Sequence, residues 1–341
     1  VTLELRPYEL RLVSPMVTSY RSIASRRGVL VSFGSHGSIG WGDACPMEGW
    51  SRSSIDDVSR RLAVAAAQLD PERVGAVLEM LEGVPEARAA LAGAIHDLSA
   101  RRAGVPLSAL LSATAVERVR VNASIGAAAT PRAVSEASQA VAAGFTALKL
   151  KVGAASPDDD VARVGAIRQA VGDEVEIRLD ANGAWDVDTA VAVLDRLADS
   201  GVAFCEEPTA GIDAIAAVGS RSAVPVAVDE SARSIDDIAQ ALGTGAIDVV
   251  VVKPQALGGP DLAMRAVDLA RAAEVTVVVT SMIDSAIGVA HAVHVAAAVG
   301  TEVAHGVATS SLLAEDVAQA LPVEDGHILV PTLPGLGVSP V

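Results

Sequence analysis

The spacing of apolar and polar residues changes character twice along the chain. Up to about residue 50 the short runs read as strands: Val1–Val13, then the apolar Gly28–Phe33, then Ile39–Asp43 after a Gly-Ser-His-Gly-Ser turn. Between the first two lies Ser14–Arg27, polar and rich in hydroxyls, which predicts a mobile loop. The pattern then shifts to a helical period. Ser53–Ser54 marks a helix start, Ile55–Leu69 repeats apolar residues at helical spacing, and further helices are expected near Val74–Leu81 and Pro85–Arg102. Strands followed by helices suggest a small α+β unit over 1–110.

From about residue 118 strand and helix alternate. Candidate strands are Val119–Ser124, Ala147–Val152, Glu176–Asp180, Ala203–Glu206, Val226–Asp229, Val249–Lys253, Val275–Thr280 and a short one near Glu302–Gly306. Helix-length segments separate them, among them Pro131–Ala143, Asp158–Val171, Val187–Ser200, Ser234–Leu242, Pro260–Ala273 and Ile283–Val299. About eight strands in strict alternation with helices predict an α/β fold with a closed parallel barrel over 111–317. The stretch 318–341 carries four prolines and has no barrel unit left to supply, so it is expected to return to the small domain.

Composition narrows the function. The 341 residues are 51% hydrophobic but only 2% aromatic, so alanine and valine must build most of the core. A formal charge of −16, without a Lys/Arg-rich run, argues against nucleic acid as a partner. No apolar stretch is long enough to span a bilayer and the first residues show no signal pattern, so no membrane partner and a cytoplasmic location are expected. Cys45 and Cys205 form no CxxC pair and read as reduced, buried small hydrophobes.

The chemistry gathers at strand ends. Lys149-Leu-Lys151, Asp180-Ala-Asn182, Glu206-Glu207-Pro208, Asp229-Glu230-Ser231 and Lys253-Pro254 close five consecutive predicted strands, at the end of a barrel where active sites form. Residues two apart on a strand share a face, so Lys149 and Lys151 point one way, as do Arg178, Asp180 and Asn182. Asp180, Glu206 and Asp229 lie 26 and 23 residues apart, about one strand-helix unit each. Helix capping would explain any one of these acids, but not three in register with lysines on both flanks. An all-oxygen set suits Mg²⁺, or Mn²⁺. Such an ion would stabilise the enediolate formed when a proton leaves the carbon next to a substrate carboxylate. A lysine whose pKa is brought toward neutrality by burial, a neighbouring lysine and the ion would take that proton. One lysine permits elimination or addition and two on opposite faces permit racemisation; the residues leave this open. A barrel kept only for binding would be expected to have lost a lysine or an acid, and all six are present.

These motifs, in this order, resemble the enolase superfamily, in particular its muconate-lactonizing subgroup. The resemblance covers the whole chain and implies a modified (β/α)7β TIM-type barrel with an N-terminal α+β capping domain. It implies Asp180, Glu206 and Asp229 as metal ligands, Lys151 as base, Lys149 as its electrostatic neighbour and Lys253 as the opposing lysine. Asn182, Glu230 and Arg178 would orient the ligands. Within the subgroup the chain resembles the o-succinylbenzoate synthases through Val252-Lys253-Pro254 followed by Gly258-Gly259, through Arg178-Leu-Asp180-Ala-Asn182, and through Thr280-Ser281-Met282-Ile283-Asp284-Ser285 followed by Gly288. No Asp-x-Asp occurs near Met282–Ser285, where an epimerase that holds a dipeptide's ammonium would show one. The implied partner is a small carboxylate substrate, with Arg21, Ser281 and Ser285 as candidate contacts and the Ser14–Arg27 and Cys45–Arg52 segments closing over the site. Racemases of N-succinylamino acids, dipeptide epimerases and muconate-type cycloisomerases share the machinery. None of the six histidines replaces a lysine. His291 and His294 read as packing residues, and His305, near the eighth strand end, is a candidate for lining the site.

Overall fold

A computed structural model describes residues 1–17, 22–70 and 73–341, without side-chain detail for 16, 17 and 22. Three antiparallel strands open the chain, β1 (Thr2–Val17), β2 (Ser22–Ser35) and β3 (Ser38–Ala44). Helices Ile55–Gln68 and Pro85–Ala103 pack on them, and Val74–Met80 packs against these two helices. Ser54 starts the first helix through a reciprocal cap with Asp57. The third helix lies directly on β3, because Gly40 and Gly42 carry no side chain. A Cβ at either would collide with the carbonyls of Ala94 and Ala90. Val31, Leu62, Leu81 and Leu91 fill the space between the layers.

The loop expected over Ser14–Arg27 is mostly strand. β1 and β2 pair from Thr2↔Gly34 through Arg11↔Ser25 and again beyond. Hydrogen bonding along the ladder outweighs the polar composition, which reflects an exposed ribbon. Arg21 lies outside the described residues.

The larger unit is a parallel sheet of β5 (Ala123–Ile125), β6 (Ala147–Lys151), β7 (Glu176–Asp180), β8 (Val202–Glu206), β9 (Val226–Val228), β10 (Val249–Val252) and β11 (Thr276–Val279), hydrogen-bonded in sequence order. Here β4 is Arg118–Arg120 and stands apart from the barrel sheet. The strand expected over Val119–Ser124 is thus two short strands, and the one expected near Glu302–Gly306 shrinks to single bridges. His305 bridges Val121 and Gly306 bridges Thr280, both in parallel. The segment accepts and donates to Arg120 and Asn122 on one side and to Val279 and Ser281 on the other, which closes the sheet on itself. His305 contributes its ring as well, since Nδ1 accepts from the Val279 amide at 2.9 Å. Burial holds this imidazole neutral, with its pKa pushed down to about 3. His305 therefore serves closure.

Valine, alanine, leucine and isoleucine fill the layer between strands and outer helices. The barrel interior is smaller: Phe204, Ala227, Val249 and Val278, with Arg178 stacked on Phe204 at 4.8 Å. The final stretch adds β12 (Val323–Glu324) and β13 (His327–Leu329), which pair with β4 in a three-stranded sheet. Beyond it, Leu336 is buried beside Leu30, Ala100 and Leu107, and its amide donates to Asp97 at 2.8 Å. Among the described residues no helix is long and apolar enough to cross a membrane. Both cysteines are free and buried.

Candidate active site

Strand register builds the site. Lys151 lies beside Asp180, and Asp180 beside Glu206, in one row across β6, β7 and β8. The row continues to Ala227 and Val249. Asp229 therefore stands two residues above it and Lys253 four, so the functional groups climb around the mouth as barrel strands tilt. Two backbone kinks lie on the path: Asn182 and Glu207 both adopt positive φ, at 47° and 43°. Such conformations cost energy in non-glycine residues and collect at functional sites. Here the kinks are tied together, with the Gly183 amide donating to the Glu207 carbonyl at 2.7 Å.

The side chains form one connected set. Lys151 Nζ donates to Asp180 Oδ2 at 2.6 Å and to Asn182 Oδ1 at 2.8 Å. Lys149 Nζ reaches Asp180 Oδ2 at 2.8 Å and Glu206 Oε1 at 3.1 Å. Asn182 Nδ2 donates to Glu230 Oε1 at 2.8 Å, and Lys253 Nζ donates to both carboxylate oxygens of Asp229. Lys149, Lys151, Asp180, Asn182, Glu206, Asp229, Glu230 and Lys253 are thus brought together. Arg178 is not among them: it sits one layer lower, donating to Glu176 at 2.6 Å and to the Ala304 carbonyl at 2.6 Å. Ser281 pairs with Thr309 at 2.8 Å. Ser285 is turned into the seam between the units, donating to Asp43 at 2.8 Å.

Charge governs this pocket. Burial alone would disfavour the Lys149 ammonium, but the fields of Asp180, Glu206 and Asp229 outweigh it and hold the pKa well above the ordinary lysine range. Burial at Lys253 is likewise outweighed, by Asp229 and Glu230, and its pKa is also raised. Lys149 and Lys253 are therefore held as ammonium groups, because the buried carboxylates around them outweigh the cost of burial. Glu206 feels the same crowding from the other side. Burial and the charges of Asp180 and Asp229 push it up to about 7 against the pull of Lys149.

Among the described residues no group of three or more His, Cys, Asp or Glu side chains is gathered tightly enough to hold a metal ion. The ammonium groups hold the acids instead. The donor set nevertheless fits a hard cation. One positive point, Lys149 Nζ, already touches two of the three acids, every donor is oxygen, and the charges of Asp180 and Asp229 add to burial in raising Glu206.

The sequence motifs gave no indication of Trp50 and Arg233. The Trp50 ring lies 4.7 Å from Lys253 Nζ and 4.7 Å from the Arg233 guanidinium, and Arg233 donates to the Trp50 carbonyl at 2.7 Å. Trp50 belongs to the Cys45–Arg52 segment, so this part of the small domain does reach the mouth. The available signal was Arg233 itself, two residues past the Asp229-Glu230-Ser231 motif. Glu207, part of the Glu206-Glu207-Pro208 motif but given no role there, is buried and pushed up to about 7, and it accepts from Ser231 and from the Asp229 amide.

Residues 132–341 match the family described as enolase C-terminal domain-like, and residues 2–112 match the mandelate racemase / muconate lactonizing enzyme N-terminal domain. The chain belongs to the enolase superfamily, in its muconate-lactonizing branch. Its α/β barrel with an N-terminal capping domain is the fold of that superfamily. The chain is 30% identical to muconate cycloisomerase 1 of Rhodococcus opacus, over 99% of this chain and 95% of that protein. It is 40% identical to o-succinylbenzoate synthase of Thermobifida fusca (strain YX), over 66% of this chain and 67% of that protein. The dipeptide epimerase of Enterococcus faecalis V583, solved with Mg and the dipeptide L-Leu-L-Tyr, superposes with a TM-score of 0.92 at 25% identity, covering 99% of each chain. Members of the superfamily generally bind Mg²⁺, and lyase- or isomerase-type chemistry is the activity class of this enzyme.

Proposed function

We propose that this chain is an o-succinylbenzoate synthase, a hydro-lyase that converts 2-succinyl-6-hydroxy-2,4-cyclohexadiene-1-carboxylate to its aromatic product and water. The observation that carries the reading is the fate of Asp284. This carboxylate, the one in the segment after β11, is 2% exposed and faces Asp43 across the seam. It is therefore not offered to a substrate ammonium, which favours a substrate that brings only carboxylates. The 40% identity to the Thermobifida synthase supports the same reading.

Asp180, Glu206 and Asp229 would hold Mg²⁺, which when bound draws charge from the substrate carboxylate and so acidifies the adjacent C–H. Lys151, as the neutral amine, takes that proton onto Nζ; Asp180 and Asn182 fix where the amine stands. The same ammonium then protonates the departing hydroxyl on the same face, the C–O bond breaks, and water leaves as the ring becomes aromatic. Lys253, kept cationic by Asp229 and steadied by Trp50, balances charge from the opposite face. Aromatisation supplies most of the driving force, so little further binding machinery is needed.

A second reading, muconate-type cycloisomerase, is favoured by the full-length match to the Rhodococcus enzyme. Purified protein with Mg²⁺ separates the possibilities. The synthase reading requires ultraviolet gain from the aromatic product. Turnover confined to cis,cis-muconate, or to loss of optical activity in an N-succinylamino acid, rules it out.

A further inference from the structure

A small cavity lies behind Lys253, between the cap and the barrel, lined by Asp43, Gln255, Asp284, Gly288 and His291 among others. The space open to a water's centre is about 20 Å³, enough for one water molecule, which needs roughly 10–15 Å³ on that measure. Three side-chain atoms on its walls have no hydrogen-bond partner among the described residues: Asp284 Oδ1, Gln255 Nε2 and His291 Nδ1. Their residues are 2%, 6% and 6% exposed. Leaving such atoms unsatisfied is costly.

Their polarity can be read from what the other end of each side chain does. Gln255 Oε1 accepts from the Cys45 amide at 2.6 Å, so Nε2 is the free end and a donor. His291 Nε2 lies 2.9 Å from the Trp41 carbonyl, which requires the proton on that nitrogen and leaves Nδ1 as a bare acceptor. Asp284 Oδ1 is an acceptor beside it. Asp43 has both oxygens engaged, by Tyr8 at 2.7 Å and by Ser285 at 2.8 Å.

We propose that this seam is a binding site for one ordered water, donating to Asp284 Oδ1 and His291 Nδ1 and accepting from Gln255 Nε2. A metal ion is the wrong occupant despite the two acids, because the amide N–H of Gln255 points its positive end at the site. The water does more than fill space. Gln255 and His291 use their other ends to hold the backbone of Trp41 and Cys45, so one molecule keeps oriented the side chains that fasten β3 of the cap to the barrel. Gly288 leaves the room: a Cβ there would come 2.6 Å from the Asp284 Cβ and 2.7 Å from Asp43 Oδ2.

Crystals of the full chain grown or soaked in rubidium chloride test this. A single density peak within 2.6–3.2 Å of all three atoms, without rubidium anomalous signal, is the expected result. A rubidium peak in the seam, or a cavity without density, overturns the proposal. The Gln255→Met variant keeps the volume and removes both the donor to the water and the acceptor of the Cys45 amide, so the peak should vanish and the melting temperature, which reads both losses, should fall by a few degrees. A peak unmoved in that variant overturns the role given to the amide.

Discussion

Two groups of buried carboxylates sit a short way apart in this molecule and differ in the countercharge they find. At the barrel mouth, Asp180, Glu206 and Asp229 are matched by three lysines, and Asp180 is held well below the ordinary carboxylate range: burial would raise it, but Lys149 and Lys151 outweigh that. In the seam, Asp43 and Asp284 face each other, with Arg26 nearby. The Arg26 guanidinium is committed to the carbonyls of Cys45, Pro46 and Ile283. Burial pushes Asp43 up to about 6 and Asp284 up to about 7. The comparison shows that burial alone does not make a carboxylate reactive or inert. The countercharge within reach sets how readily a buried acid stays ionised.

The largest expected effect at the mouth is loss of the base. Lys151→Ala should lower turnover by about 10³-fold with little change in folding, read by steady-state assay alongside circular dichroism; near-normal turnover would move the base elsewhere. Removing the countercharge differently, Asp180→Asn should abolish Mg²⁺ binding by calorimetry, and chelation should silence the wild type until Mg²⁺ is returned. Retained activity in chelator would break the parallel between lysines and metal as alternative partners of the acids.

The seam predicts a subtler response. Because Asp43 and Asp284 hold protons more tightly folded than unfolded, their contribution to stability is complete below about pH 4, the ordinary carboxylate value. It is lost as pH rises through 6 to 7. Asp284→Asn should therefore stabilise the protein at pH 8 by roughly 1–3 kcal/mol and flatten the difference curve between pH 4 and 7. Denaturant melts of the pair across pH measure this, and parallel curves would show that the two acids share no such penalty. The smallest effect is expected at Trp50→Leu. Loss of the ring over Lys253 should cost about 3–10-fold in kcat/KM, and a variant of unchanged kcat/KM would confine the ring to packing.

Much of the site was legible before any fold was known. The lysines and acids each close a strand, and a parallel barrel brings successive strand ends to one rim, so local spacing already carried the third dimension. The same logic placed Glu176–Asp180 without error. It failed where pairing is remote or marginal. The polar Ser14–Arg27 stretch reads as a loop until β1 and β2 are zipped together. The eighth strand survives only as two bridges at His305 and Gly306. Ser285 reads as a candidate substrate contact because a serine-rich turn does not announce that Asp43, 242 residues earlier, takes its hydrogen bond. Arg178 shares a face with Asp180, as alternation demands, but alternation does not say how deep in the barrel a side chain stops.

The amino-acid sequence by itself determined which groups reach the mouth and in what order, because strand periodicity and helix-length spacers are local properties that survive any detail of packing. Tertiary structure alone decided which charges became partners, where the cap's Trp50 would rest, and that Asp284 would be buried rather than exposed to substrate. Those outcomes depend on desolvation and on the summed field of residues far apart in the chain, and neither quantity exists until the two units have closed on each other.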